Sequence, residues 1–180
     1  MIKKAVADIL HLLYPRLCPG CGNELFGRAE AICLSCINDL PLTGFCNHAH
    51  NPVEKIFWGR LPLDDASAYL YFTKKSILQN LIHAFKYGGN TAIGRFFGCR
   101  MGEALKQSDR YKHIDAIIPL PLFYKKERKR GYNQAAVLGK GIAEITGLEL
   151  YSDTIVRRGA ASSQTQKNRK QRWQNTAGQF

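Results

Sequence analysis

Cys18-Pro19-Gly20-Cys21, followed after an 11-residue spacer by Cys33-Leu34-Ser35-Cys36, decides how the first part of this 180-residue chain folds. Each Cys-x-x-Cys pair bends the backbone into a knuckle that offers two thiolates to one metal, and two knuckles supply the four ligands of tetrahedral zinc. Gly20 and Gly22 suit a knuckle, where the backbone often needs positive φ. The spacer Gly22–Ile32 is long enough for a turn or short hairpin that carries the second pair back to the first. This is a zinc-ribbon pattern, with Cys18, Cys21, Cys33 and Cys36 as ligands of a structural Zn2+, because four protein ligands leave no open position for water. Residues 14–40 are too few to hold a core without the metal.

The alternative of two disulfides needs an oxidising compartment. At the start of the chain Lys3 and Lys4 precede apolar residues, but Asp8 and His11 interrupt the run and no small-residue cleavage site follows. Ile2, Val6, Ile9, Leu10 and Leu13 share one helical face, so residues 1–13 read as a short packing helix and the expected location is the cytoplasm. Cys46-Asn47-His48-Ala49-His50 offers three further donors but no complete second pair, so that stretch alone lacks a ligand for a second metal and reads as incidental exposure. Cys99 sits in a helical pattern and reads as a small buried hydrophobe.

Composition bounds the rest. Hydrophobic residues at 45% and charged residues at 22% are those of a globular protein, which sets aside wholesale disorder, collagen and coiled coil. No apolar run is long enough to span a membrane. Lys plus Arg is 26 and Asp plus Glu 14, giving +12, and residues 123–180 alone carry 12 basic and 4 acidic residues. Such a surface attracts polyanions: nucleic acid, phosphorylated metabolites or acidic membranes.

Beyond the ribbon, residues 41–62 are punctuated by Gly44, Pro52, Gly59 and Pro62 and read as an irregular linker. Ala66–Phe72 has the aromatic content of a strand. Lys75–Tyr87 and Ala92–Gln107 carry helical apolar stripes, the first ended by Gly88-Gly89. Ile114–Leu120 reads as a buried strand, Tyr132–Thr146 as a third helix ended by Gly147, and Leu148–Arg157 as containing a short extended piece. Strands alternating with helices predict an α/β fold with a largely parallel sheet over residues 63–180. Ligands of such sheets bind beyond the carboxyl ends of the strands. The segment there runs Lys125-Lys126-Glu127-Arg128-Lys129-Arg130-Gly131-Tyr132-Asn133-Gln134: five cations in six residues, a glycine, and a helix start with Asn and Gln. A helix N-terminus and arginine both suit phosphate, so this basic loop is the candidate anion seat. A second basic stretch, Ser163–Asn175, could touch single-stranded nucleic acid, fold over the site, or remain a solvated tail.

Taken in order, Cys18-Pro-Gly-Cys21-Gly22, Cys33-x-x-Cys36, His83-Ala-Phe-Lys86-Tyr87-Gly88-Gly89, Pro119-Leu-Pro121-Leu122, Arg130-Gly131-Tyr132-Asn133-Gln134 and Ser163-Gln164-Thr165-x-Lys167-x-Arg169-x-x-Arg172-x-x-Asn175 resemble the ComF family. The resemblance runs through essentially the whole chain. It implies an N-terminal zinc ribbon joined to a type I phosphoribosyltransferase-like domain, in a cytoplasmic bacterial protein linked in some bacteria to competence and the handling of incoming DNA. It further implies phosphoribosyl pyrophosphate with Mg2+ as ligand. Lys125, Arg128, Arg130, Gly131, Asn133 and Gln134 would seat its diphosphate, and Lys86, Gln164, Lys167, Arg169 and Arg172 would close over it.

One departure accompanies the match. Type I phosphoribosyltransferases carry, after a hydrophobic strand, two adjacent acidic residues and a Thr-Thr-Gly-type phosphate cradle. Here Asp64-Asp65 precedes its strand and no cradle follows, so residues 63–180 are expected to be the front part of such a domain, truncated before that loop or completed by a partner chain. Two functions follow: a phosphoribosyltransferase when the chain is complete, or a non-catalytic, zinc-dependent protein contacting single-stranded DNA or a DNA-processing partner.

Overall fold

The structure, a computed structural model, describes residues 14–25 and 31–159; the expected helix over 1–13 and the basic stretch with Gln164, Lys167, Arg169 and Arg172 lie outside the described residues. The chain divides into two compact units, Met1–Phe96 and Phe97–Phe180.

In the first unit the leading knuckle is a tight turn: Gly22 N–H donates to Cys18 O (2.8 Å), Cys18 N–H to Asn23 O (2.7 Å) and Leu25 N–H to Arg16 O (2.7 Å), with an antiparallel bridge between Leu17 and Glu24. The second knuckle runs into helix α1 (Leu34–Asn38), whose N-cap is Cys33. The expected irregular linker over 41–62 is in fact partly helical. A 3-10 turn (Phe45–Asn47) is followed by α2 (Pro52–Phe57). The physical reason is a cap: Asn51 Oδ1 accepts from the N–H groups of Val53 and Glu54, and Pro52 occupies the first helical position, where its missing N–H costs nothing. The expected strand Ala66–Phe72 does not join the parallel sheet. It pairs with the segment just after the ribbon, through the bridge Leu42–Leu70 and the bonds Thr43 N–H to Tyr69 O (3.1 Å) and Tyr71 N–H to Pro41 O (2.9 Å).

Helix α3 (Ile77–Tyr87) is capped by Ser76, whose hydroxyl accepts from Gln79 N–H, and buries Leu78, Leu81 and Phe85 along one stripe. Its stripe is the floor of the ribbon. A Cβ on Gly20 would lie 2.8 Å from Ile77 Cγ2 and 3.4 Å from Leu81 Cδ2, and Asn80 Nδ2 donates to Gly20 O (2.9 Å). Helix α4 (Thr91–Gln107) follows, and the division between the units falls within it.

The second unit is built on β1 (Ala116–Ile117) and β2 (Glu149–Leu150), which pair in parallel with Ala116 opposite Glu149 and Ile117 opposite Leu150. Between them lie α5 (Tyr124–Arg130) and α6 (Gln134–Thr146). The α/β class and the parallel pairing are as the sequence predicts, with a two-stranded sheet among the described residues. Helix α6 is packed from two sides through glycines. A Cβ on Gly139 would meet Leu150 Cδ1 at 2.8 Å, so that glycine lets the helix lie on the sheet. On α4, a Cβ on Gly98 would come within 2.3 Å of Leu138 O, which sets how closely α4 and α6 approach.

The basic run is a helix, not the loop expected from its charge. Lys, Arg and Glu are good helix formers, the Pro119 and Pro121 punctuation ends before it, and Gly131 stops it in the left-handed region (φ 86°). Arg128, Lys129 and Arg130 occupy the last turn, where cations offset the partial negative charge of the unpaired carbonyls. Helix α6 therefore starts at Gln134 rather than Tyr132, with Asn133 as its cap.

Candidate metal centre and anion-binding turn

The four knuckle thiols converge. All Sγ atoms of Cys18, Cys21, Cys33 and Cys36 lie within 4.8 Å of one another. Cys18 and Cys36 are 3.8 Å apart and Cys21 and Cys33 3.5 Å. With Zn–S bonds of about 2.3 Å, a tetrahedron has an edge of roughly 3.8 Å, so the cluster is already at the size zinc requires. The chain supports the charge from outside: Cys33 N–H points at Cys18 Sγ (3.4 Å) and Cys36 N–H at Cys33 Sγ (3.5 Å).

The thiols are electrostatically unlike. Burial pushes Cys18 up, but the N–H groups of Cys33, Cys21 and Gly20 outweigh it and bring its pKa down to about 6. Burial, then the neighbouring Cys21, Cys33 and Cys18 sulfurs, push Cys36 well above the usual thiol range. The four sulfurs crowd one another, and at Cys36 that crowding opposes the charged form. A zinc ion replaces the protons and removes that conflict, so binding is tied to folding and to proton release. Four cysteine ligands close the coordination sphere, which makes the site structural.

Gly20 has a role the pattern did not reveal. Gly22 takes the positive φ (81°) expected of a knuckle glycine. Gly20 does not, and its value is space: a Cβ there would also lie 2.9 Å from Cys36 Sγ, a zinc ligand. The remaining cysteines stand apart. Cys46 is buried against Ser67 Oγ (3.2 Å), and Cys99 is half-buried, with its thiol 3.7 Å from Glu144 Oε2, rather than simply a hydrophobe. Among the described residues the knuckle cysteines form the one cluster of three or more potential metal ligands.

In the second unit the turn from α5 into α6 lies beyond the carboxyl end of β1. Asn133 ties it down at both ends: its Oδ1 accepts from Ala135 N–H (3.0 Å) and its Nδ2 donates to Leu120 O (3.0 Å), on the segment leaving β1. Arg130 donates through a terminal nitrogen to Gln134 Oε1. The other side of that amide, Gln134 Nε2, is buried and has no hydrogen-bond acceptor among the described residues. The structure thus brings Arg130, Gly131, Asn133 and Gln134 into one turn, with Lys125 and Arg128 exposed on the short helix leading to it. Lys86 lies exposed on α3, in the first unit. Tyr124, which sequence reasoning passed over, is 53% exposed, with Lys125 Nζ and Arg128 Cζ each 5.9 Å from its ring centroid. The available signal was an aromatic residue opening a run of cations.

An all-cysteine zinc centre and a parallel α/β unit define the class: a zinc-ribbon protein with a basic turn beside a strand end. Residues 9–59 match the double zinc ribbon domain. Among curated proteins the chain is similar to Competence protein F of Haemophilus influenzae, 25% identical over 175 residues, which is 95% of this chain and 72% of that protein. No solved structure matches the chain. No helix among the described residues is long and apolar enough to cross a membrane.

Replacing Gly20 with Ala should force Ile77 and the Cys36 thiolate to move. Zinc affinity, measured by competition with a chromophoric chelator, is expected to fall by about tenfold or more, equivalent to roughly 1.4 kcal/mol. An unchanged affinity would contradict the role given to this glycine.

Proposed function

We propose that the chain is a competence-associated zinc protein whose basic turn binds phosphoribosyl pyrophosphate or a related phosphate-bearing small molecule, as the front part of a phosphoribosyltransferase-like domain. The observation that carries this reading is the buried Gln134 Nε2, a donor with no acceptor among the described residues, beside a fixed guanidinium. A buried unmet donor costs about 1–3 kcal/mol, and a phosphate oxygen would satisfy it. Arg130 adds charge to that bond, and the N-terminus of α6 adds unpaired N–H groups. Lys125 and Arg128 supply further positive potential, and Gln164, Lys167, Arg169 and Arg172 belong to the same proposal as closing groups.

Residues 130–134 include no carboxylate. Mg2+ would therefore enter on the diphosphate oxygens of the ligand, as Mg2+ commonly does. These residues would neutralise charge growing on a departing diphosphate; transfer itself belongs to a chain that also presents the acidic loop to the ribose. The similarity to Competence protein F supports the link to competence.

The test is calorimetric titration of the zinc-loaded chain with Mg2+-phosphoribosyl pyrophosphate. Saturable binding is expected, weakened about tenfold or more by Arg130→Ala and by Gln134→Leu, the scale of one charge-assisted hydrogen bond. No saturable heat, or wild-type affinity retained in both variants, would overturn the reading.

Tyr124 supports a second reading, contact with single-stranded DNA. An exposed ring flanked by two cations can stack on a base while the cations meet phosphates. Oligonucleotide binding followed by fluorescence anisotropy should weaken steeply with salt, as counterions are released, and Tyr124→Ala should weaken it by about fivefold or more. An absence of binding at low salt would remove this reading.

A further inference from the structure

The double zinc ribbon match extends to residue 59, well past the four-cysteine site, and so implies a second metal held in part by residues after Leu40. The donors present there do not fit one. In the first site a knuckle places its second thiol three residues after its first; three residues after Cys46 stands Ala49. The Cys46 thiol is buried against Ser67 Oγ at 3.2 Å. The Glu54 carboxylate is 8% exposed and engaged on both oxygens: Oε2 accepts from His50 N–H (2.6 Å), and Oε1 from Asn51 Nδ2 (2.9 Å) and, more weakly, Ala66 N–H (3.5 Å).

At the crossing of these segments sits Asn51, 4% exposed. Its amide nitrogen lies 2.8 Å from Ala66 O, 3.1 Å from His48 O and 3.5 Å from Phe45 O, besides Glu54. Its oxygen caps α2 through Val53 N–H (2.9 Å) and Glu54 N–H (3.3 Å). One side chain therefore joins the 3-10 turn, helix α2 and the segment at Ala66. Zinc fastens the first lobe in the same topological sense, by tying separate loops to one point. The hub also holds His50 in the left-handed region (φ 57°), a position that costs a non-glycine residue free energy and persists only where the surroundings fix it.

We propose that residues 41–70 are a metal-free second lobe in which the buried Asn51–Glu54 pair does the fastening that a second zinc does in a double ribbon. The lobe keeps its shape by hydrogen bonds whose partners are all on this chain, so it is indifferent to chelators and to zinc supply, unlike the first. This inference stands on the hydrogen-bond geometry and does not depend on the phosphate reading.

The experiment is a metal count by plasma mass spectrometry on the full, reduced chain, with thermal unfolding of variants. One zinc per chain is expected in the wild type. The same count is expected after combined Cys46→Ser, His48→Ala and His50→Ala replacement, which removes every soft donor of the lobe. Asn51→Ala should retain one zinc while unfolding about 5 °C lower or more. Two zinc ions per chain, a count that falls in the triple variant, or an Asn51→Ala midpoint equal to the wild type would each overturn the proposal. Should Asn51→Ala fail to fold, the counts on the wild type and the triple variant still decide it.

Discussion

Four thiols drawn to one zinc ion are the constraint on which the first unit depends. The ribbon is too small to bury a core of its own. The metal supplies the missing attachment, and α3 supplies the floor. Gly20 is where the two meet: it touches the apolar stripe of α3 on one side and a ligand sulfur on the other. Metal geometry and helix packing are therefore coupled through a residue with no side chain, and neither can be changed without straining the other.

The second unit solves a different problem. Its sheet among the described residues is two strands wide, too little to fix the crossover helix by sheet packing alone. Close approach compensates: Gly139 brings α6 onto β1 and β2, and Gly98 and Gly102 bring α4 onto its other side. The turn entering α6 inherits that rigidity, with Asn133 bonded forward to the helix and back to the chain leaving β1. In the proposed reading, a fixed turn carrying an arginine and an amide donor unmet among the described residues would need little ordering to take an anion.

Much of this was legible from residue order. The Cys-x-x-Cys spacing determined the metal ligands, because tetrahedral coordination admits few arrangements of four thiols. Helices α3, α4 and α6 followed from apolar stripes within a residue or two of their observed ends. The failures have physical causes. Gly20 reads as a φ requirement, whereas its constraint is space against the Ile77 side chain on α3 and the Cys36 sulfur, which no local pattern encodes. Ala66–Phe72 has strand chemistry, but its partner is the segment after the ribbon, and pairing is not written in composition. The run Lys125–Arg130 reads as a loop by its charge; helix propensity and the Gly131 stop outweigh that signal. Asn51-Pro52-x-Glu54 carried a helix-start signal inside what looked like punctuation, and the hub it forms depends on three carbonyls from elsewhere in the chain.

The central claim is a single all-sulfur zinc centre, with the second lobe held by hydrogen bonds alone. X-ray absorption at the zinc edge of the full chain tests it most directly. The account predicts one shell of four sulfur atoms at about 2.3 Å and no nitrogen or oxygen ligand. A mixed sulfur and nitrogen shell, which would place Cys46 or a histidine of the second lobe on a metal, would contradict it.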